Sequence, residues 1–181
     1  TDGISGTGVR LNAFQNQYFN IPYNLFHGLE KFSVSFWIKD FGPGCIFAAQ
    51  NTNNSSETND VPFFYASQNG KFTIKGDIGD ESYSTQFSYN YQTQGIQSNG
   101  WHHLVVTMNN GTTKLYIDGS RVDQATISYS SYRNDNCSKV VFGGDKEGGY
   151  ATKSSMELDE INIYNRELTA NEVRGLYNLN Y

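Results

Sequence analysis

From Phe32 to Lys39 apolar and polar side chains alternate. Phe32, Val34, Phe36 and Ile38 share one face of an extended chain, and Ser33, Ser35, Trp37 and Lys39 share the other. Successive side chains on a strand point to opposite faces, so this run predicts a strand with one face in a core. The same period of two returns between Gly-, Asn- and Ser-rich breaks. It predicts strands over Gly8 to Leu11, Tyr18 to Ile21, Cys45 to Ala49, Val61 to Ser67, Lys71 to Lys75 and Ser84 to Tyr91. Later ones fall over Trp101 to Met108, Lys114 to Ile117, Arg121 to Thr126, Lys139 to Phe142 and Met156 to Tyr164. A dozen short strands in one chain imply two packed sheets.

Turn chemistry supports this register. Asn110-Gly111 and Asp118-Gly119 separate the Trp101, Lys114 and Arg121 strands, and both dipeptides favour the type I′ turns of tight hairpins, which gives a three-stranded meander. One helix is predicted, over Ala170 to Asn178. Thr169 stands at its N-cap, Glu172 completes a capping box, and Leu168 and Val173 are placed for a hydrophobic staple.

Composition narrows the classes of function. The 181 residues suit one domain spanning 1–181, and the opening at Thr1 without a signal segment reads as a part of a longer exported protein. A net charge of -5 without a Lys/Arg run is a poor match to the phosphate backbone, so nucleic acid is not an expected partner. No apolar stretch approaches the roughly 18 residues a membrane span needs, and no membrane insertion is expected. Cys45 and Cys137 lack the spacing of a structural zinc site. They form either a disulfide, worth about 4 to 5 kcal/mol in the chain-entropy model, or two separate buried thiols. The N-x-S/T sequons at Asn53, Asn54, Asn110 and Asn136 bear on glycosylation only in a eukaryotic secretory pathway.

Trp101-His-His-Leu-Val-Val-Thr-Met108 followed by Lys114-Leu-Tyr-Ile-Asp-Gly-Ser-Arg-Val122 resembles the paired strands of the laminin-G-like, concanavalin A-like jelly-roll superfamily. Met156-Glu-Leu-Asp-Glu-Ile-Asn-Ile-Tyr-Asn-Arg-Glu-Leu-Thr-Ala-Asn-Glu-Val173 is similar to its closing strand and helix, and Gly8 to Tyr23 and Phe32 to Lys39 to its opening strands. The resemblance implies an all-β, two-sheet antiparallel β-sandwich (a jelly roll) with one short C-terminal helix. It leaves function open, because the superfamily includes carbohydrate-binding modules, pentraxin-like proteins, adhesion domains and glycan-cleaving enzymes. The resemblance also makes Trp101 and His103 scaffold residues. Adjacent strand positions put His102 and His103 on opposite faces, where they cannot share a metal ion.

Jelly-roll glycanases place an acid and a nucleophile on one strand face, in patterns such as E-x-D-x-E. Here Glu157 and Asp159 are followed at that parity by Ile161 and Ile163, with Glu160 on the other face. The motif is broken, and no catalytic residue is assigned. Asp159, in Leu-Asp-Glu-Ile, resembles the aspartate that reaches a structural Ca2+ in related modules, and Asp2 is a partner for it from the opening segment. Asn59-Asp60 and Asp145-Lys-Glu147 read as solvated loop charges rather than as a second calcium site.

Sugar recognition needs aromatic rings that stack on C–H faces and Asn, Asp, Gln or Arg side chains that bond hydroxyls. Tyr129, Tyr132, Arg133, Asn134 and Asp135 in one loop, and Asp145 and Tyr150 in the next, supply that mixture. The strand Ser82 to Tyr91 adds Tyr83, Phe87, Tyr89 and Tyr91 on a face expected in the core, with Ser84, Gln86, Ser88 and Asn90 on the other. Trp37, on the polar side of its strand, is a further stacking platform unless a crossing loop or the helix covers it. The expected function is a noncatalytic carbohydrate-binding module, extracellular or at the cell surface, whose partner is an oligo- or polysaccharide. The competing expectation is an adhesion module that binds a cell-surface protein, with a glycan-cleaving enzyme third.

Overall fold

A computed structural model describes residues 1–22, 25–26, 29–50, 63–78, 81–97, 100–127, 139–144 and 153–179. The strands among them are β1 (Val9–Leu11), β2 (Phe19–Ile21), β3 (Lys31–Lys39), β4 (Gly44–Gln50), β5 (Phe63–Ala66) and β6 (Lys71–Ile78). They continue with β7 (Glu81–Asn90), β8 (His102–Asn109), β9 (Thr112–Ile117), β10 (Ser120–Thr126), β11 (Lys139–Phe142) and β12 (Met156–Tyr164), and the chain closes on α1 (Ala170–Leu179). All pairings are antiparallel. The front sheet runs β1-β12-β3-β8-β9-β10 and the back sheet β2-β11-β4-β5-β6-β7, so the predicted sandwich and its meander are both present.

The core fills the space between the sheets with side chains from alternate positions. Phe32, Val34, Phe36 and Ile38 of β3 face inward and are fully buried, as their spacing predicts. The back sheet contributes Phe47, Phe64, Phe72, Phe87 and Phe142. Phe47 is the hub, with ring centroids 5.4 Å from Phe64, 5.9 Å from Phe142 and 6.3 Å from Phe36. The open edge between β7 and β10 is tied by the Tyr89 N–H, which donates to Asp123 Oδ2 at 2.8 Å.

The two hairpin turns adopt the conformation their residues favour. Asn110 and Gly111 have φ of 46° and 81°, and Asp118 and Gly119 have 49° and 74°. Gly119 has a second reason to be glycine, since a Cβ there would lie 3.2 Å from the Tyr177 ring of α1. Asp118 also anchors β8, accepting from the His103 N–H at 3.0 Å and meeting His102 Nδ1 at 2.8 Å.

Helix α1 lies on the outer face of the front sheet. Its capping box is formed as predicted: Thr169 N–H donates to Glu172 Oε2 at 2.8 Å, and Glu172 N–H to Thr169 Oγ1 at 3.3 Å. The hydrogen bond from Arg166, then those from Thr169, hold the Glu172 carboxyl down to about 2. Leu168 and Val173 pack with Val105 and Tyr116 in a second apolar cluster. Ser33 pins the approach to the helix, accepting from Leu168 N–H and donating to Arg166 O, both at 2.9 Å.

Beneath the helix lie Trp37 and His103, each 1% exposed. The Trp37 ring stacks on Tyr177 at 5.7 Å and lies 5.3 Å from His103. Trp37 is therefore roofed by the helix, and it has no open ring face to offer a sugar. His103 Nε2 meets Ser35 Oγ at 2.9 Å, while its Nδ1 is buried without a hydrogen-bond partner among the described residues. Burial lowers the imidazole to about 4, against the smaller upward pull of Asp118.

Strand β12 departs from straight alternation. Asp159 pairs with Trp37, but Ser35, two residues further along β3, pairs with Asn162, so one extra residue sits in β12. Glu160 is the bulge, at φ 48°. The bulge flips the parity, and Ile161 and Ile163 pack toward the main core beside Met156 and Leu158, not on the face of Glu157 and Asp159.

Glu157 and Asp159 hold the first residues of the chain. Glu157, 1% exposed, takes the Thr1 hydroxyl at 2.9 Å and Arg10 Nε at 2.7 Å, with Lys39 Nζ at 3.5 Å. Burial pushes its carboxyl up, but the bonds from Arg10 and Thr1 and the charges of Lys39 and Arg10 together leave it below its ordinary value. Asp159 Oδ2 accepts from the N–H groups of Ile4 at 2.8 Å and Ser5 at 3.1 Å. Gly3 permits this approach, because a Cβ there would stand 2.3 Å from the same oxygen.

Two predictions follow from this packing. His103 stays neutral when folded and titrates near 6.5 when unfolded, so its contribution is complete above about pH 6.5 and is lost as pH falls toward 4. Between pH 7 and pH 5, above the ordinary carboxylate range, urea denaturation will show a loss of about 2 kcal/mol that is absent in His103→Gln. Replacing Asp159 with Ala frees two backbone donors of the opening segment. Hydrogen exchange at Ile4 and Ser5 will accelerate, and stability will drop by about 1 to 3 kcal/mol.

Candidate functional site

The helix closes the outer face of the front sheet, which leaves the back sheet to be examined for an open face. On β5, β6 and β7 the inward residues are Phe64, Phe72, Ile74 and Phe87. The residues between them point outward. Cross-strand pairing sets Tyr65 opposite Thr73 and Thr73 opposite Gln86, giving one continuous row.

The row is built from hydrogen-bonding side chains. Thr73 Oγ1 meets Ser67 Oγ at 3.0 Å and accepts from Gln86 Nε2 at 3.3 Å. Asn69 Nδ2 donates to Gln86 Oε1 at 3.3 Å, and Asn90 Nδ2 to the Asn69 carbonyl at 3.2 Å. Asn69, Gln86 and Ser88 are exposed, Tyr65 is half-buried, and Thr73 lies beneath them. Amides and hydroxyls can both donate and accept, so each can exchange a neighbour for a ligand hydroxyl without leaving a buried charge. Toward β4 and β11 the same face becomes apolar and closed: Cys45, Ala48 and Val141 are fully buried, with Tyr65 packed against them.

The residues predicted from sequence divide between this frame and segments outside it. Tyr129, Tyr132, Arg133, Asn134, Asp145 and Tyr150 lie outside the described residues. The stretches that carry them attach to the two ends of β11, a strand of the back sheet. Cys45 is buried on the outer side of that sheet, while Cys137 lies outside the described residues. Trp37 is removed from the site by helix α1.

Asp159, expected with Asp2 as a calcium ligand, is held by backbone amides. Three N–H donors already occupy the Asp159 carboxylate, the third being Glu160 N–H on Oδ1 at 2.9 Å. Asp2 is exposed, and its backbone bridges Thr7. Among the described residues no group of three or more His, Cys, Asp or Glu side chains could hold a metal ion.

Tyr65, Thr73 and Asn69 were not singled out by sequence reading. Their signal was present in the alternation, since each is the polar neighbour of an inward phenylalanine or its turn. Ser84, Gln86, Ser88 and Asn90 are the positions that alternation sets opposite an aromatic core face.

Comparison with known proteins places the fold. The chain is 28% identical, over 98% of its length, to Paraclostridial mosquitocidal protein 1 of Paraclostridium bifermentans, and spans 15% of that protein. The solved binding domain of that protein matches with a TM-score of 0.70 at 23% identity, covering 99% of this chain and 45% of that one. A second solved structure, from work reporting that cell entry of botulinum neurotoxin type C depends on interaction with two ganglioside molecules, matches with a TM-score of 0.60 at 22% identity. It covers 84% of this chain and 36% of that one. These structural likenesses establish the sandwich, and the chain spans less than half of either solved neighbour. A laminin-G-type family model described as the concanavalin A-like lectin/glucanases superfamily matches residues 13–174, and the chain belongs to that superfamily.

Proposed function

We propose that this domain is a noncatalytic, lectin-like carbohydrate-binding module, acting outside the cell or at its surface to hold a larger protein to an oligo- or polysaccharide. The observation that carries the reading is the polar outer face of β5 to β7, where half-buried Tyr65, buried Thr73 and exposed Gln86 form a row flanked by exposed Asn69 and Ser88. A sugar hydroxyl matches such groups because it both donates and accepts, and a sheet holds them at fixed spacing. The sequence candidates Tyr129, Tyr132, Arg133, Asn134, Asp145 and Tyr150 remain part of this proposal on their chemistry alone.

The relatives support a binding role. One matched structure is the binding domain of Paraclostridial mosquitocidal protein 1, and the other comes from a toxin whose cell entry is tied to two ganglioside molecules. Glu157 and Asp159, the residues with the chemistry of a glycanase pair, are committed to Arg10, Thr1 and the backbone of Ile4 and Ser5. A noncatalytic role accords with that commitment. The charge of -5 is in keeping with a partner other than nucleic acid, and no helix among the described residues is long and apolar enough to cross a membrane.

The test is a glycan-array and insoluble-polysaccharide screen of the domain. Gln86→Ala will weaken binding by roughly tenfold, the value of one or two lost hydrogen bonds, and Tyr132→Ala will do the same if the loop extends the site. Both bound fraction and melting temperature will be the same in calcium and in chelator, since Asp159 is occupied by amides. A folded domain that binds no glycan but captures a cell-surface protein would replace this reading with the adhesion one.

A further inference from the structure

The turn joining β1 to β2 carries Phe14, which is 95% exposed and the most exposed large apolar side chain among the described residues. The turn that holds it is rigidly built. Phe14 N–H donates to Asn12 Oδ1 at 2.9 Å, Asn12 N–H to Gln17 Oε1 at 3.1 Å, and Gln17 N–H to Asn12 O at 3.1 Å. Asn16 takes the left-handed conformation, φ 55°, which carries its N–H to Ala13 O at 3.2 Å. Ala13 N–H reaches across to Ser155 Oγ at 3.1 Å and fixes the turn to the segment before β12. A bare aromatic ring on so constrained a turn pays little ordering entropy when something stacks on it.

Beside the ring lies an open groove of about 310 Å3, lined by Phe14 with Arg10, Asn12, Asp40, Ser155 and Glu157. Its charges cancel. Arg10 gives Nε and Nη2 to Glu157 Oε1, and Lys39 Nζ stands 3.5 Å from Glu157 Oε2 and 3.8 Å from Asp40 Oδ2. Two cations therefore face two carboxylates. The Arg10 side chain remains 66% exposed and that of Asp40 46% exposed. A guanidinium has five N–H donors, and only two are used on Glu157. The groove thus offers unused Arg10 donors, the exposed Asp40 carboxylate beside Lys39 and an aromatic face, with its cations paired to carboxylates.

We infer that this groove is a second carbohydrate contact, taking one neutral pyranose residue stacked on Phe14, with its hydroxyls on the Asp40 carboxylate and the outer edge of Arg10. The inference extends the glycan reading of the module but stands on residues of the front sheet's edge, separate from the Tyr65–Thr73–Gln86 row of the back sheet. Charge neutrality selects an uncharged sugar, and the single ring selects one residue of a chain.

Amide chemical shifts of the 15N-labelled domain test it during titration with methyl β-glucopyranoside, methyl β-galactopyranoside and methyl β-N-acetylglucosaminide. The expected result is movement at residues 12–17 and 155–157 with at least one of these, weakened roughly tenfold in Phe14→Ala and in Asp40→Asn and unchanged in Gln86→Ala. Phe14 is almost wholly in solvent, so its truncation leaves the fold intact. No movement at these amides with any of the three, or movement that survives Phe14→Ala, overturns the proposal. Movement confined to β5 to β7 and abolished by Gln86→Ala also overturns it while upholding the back-sheet site. Loss of the back-sheet site alone leaves the groove standing.

Discussion

The contact of Tyr177 with Trp37 decides which surfaces of this sandwich are open. A β-sandwich has two outer faces, and either can in principle carry a ligand. Here α1 lies across the front one, and the ring stack at 5.7 Å closes over a tryptophan and a histidine that would otherwise face water. Such a stack contributes about 0.5 to 1.5 kcal/mol beyond the area it buries. It also forces the histidine to remain neutral, so this docking and the protonation of His103 oppose each other. With that face sealed, recognition falls to the back sheet, the loops and the edges.

Strand β12 illustrates how the same residue types serve different ends on one scaffold. Glu157 and Asp159 have the spacing from which the superfamily's hydrolases build their acid pairs, yet in this chain both work on the opening segment. Glu157 is buried with two cations and a hydroxyl, which keeps it charged and fully satisfied. Asp159 accepts three amides, which tie it to the opening segment and to the bulge that follows it. The bulge at Glu160 then restores the apolar side of the strand to the core. One extra residue separates an electrostatic half from a packing half.

Much of the fold was legible because it rests on local rules. The alternation at Phe32 to Lys39, the Asn-Gly and Asp-Gly turns and the Thr169/Glu172 box each name their own structure, and each is present. The bulge was not legible: a straight period of two put Ile161 and Ile163 beside Asp159, and only pairing with β3 reveals the extra residue. Trp37 stood between exposure and cover by the helix for a related reason. Strand parity tells that a side chain points away from the core, but whether a helix from the far end of the chain lands on it is a long-range fact. The outward polar positions of β5 to β7 were visible as alternation, yet their union into a row depends on strand register. Phe14 gave no periodic signal at all, since its exposure comes from a three-residue turn sandwiched between very short strands.

The edges of the two sheets carry one more consequence. β1 and β2 are each three residues long, β10 is bulged between Arg121 and Asp123, and the backbone of β7 at Tyr89 is already engaged by Asp123. A foreign extended peptide seeking to continue the front sheet at β1 or the back sheet at β2 would find few consecutive backbone groups to zip onto. Strand addition, the recognition mode least sensitive to a partner's sequence or chemistry, is thereby disfavoured at those two edges. A partner met there is read through side chains, which makes selectivity tunable by substitution without rebuilding the scaffold.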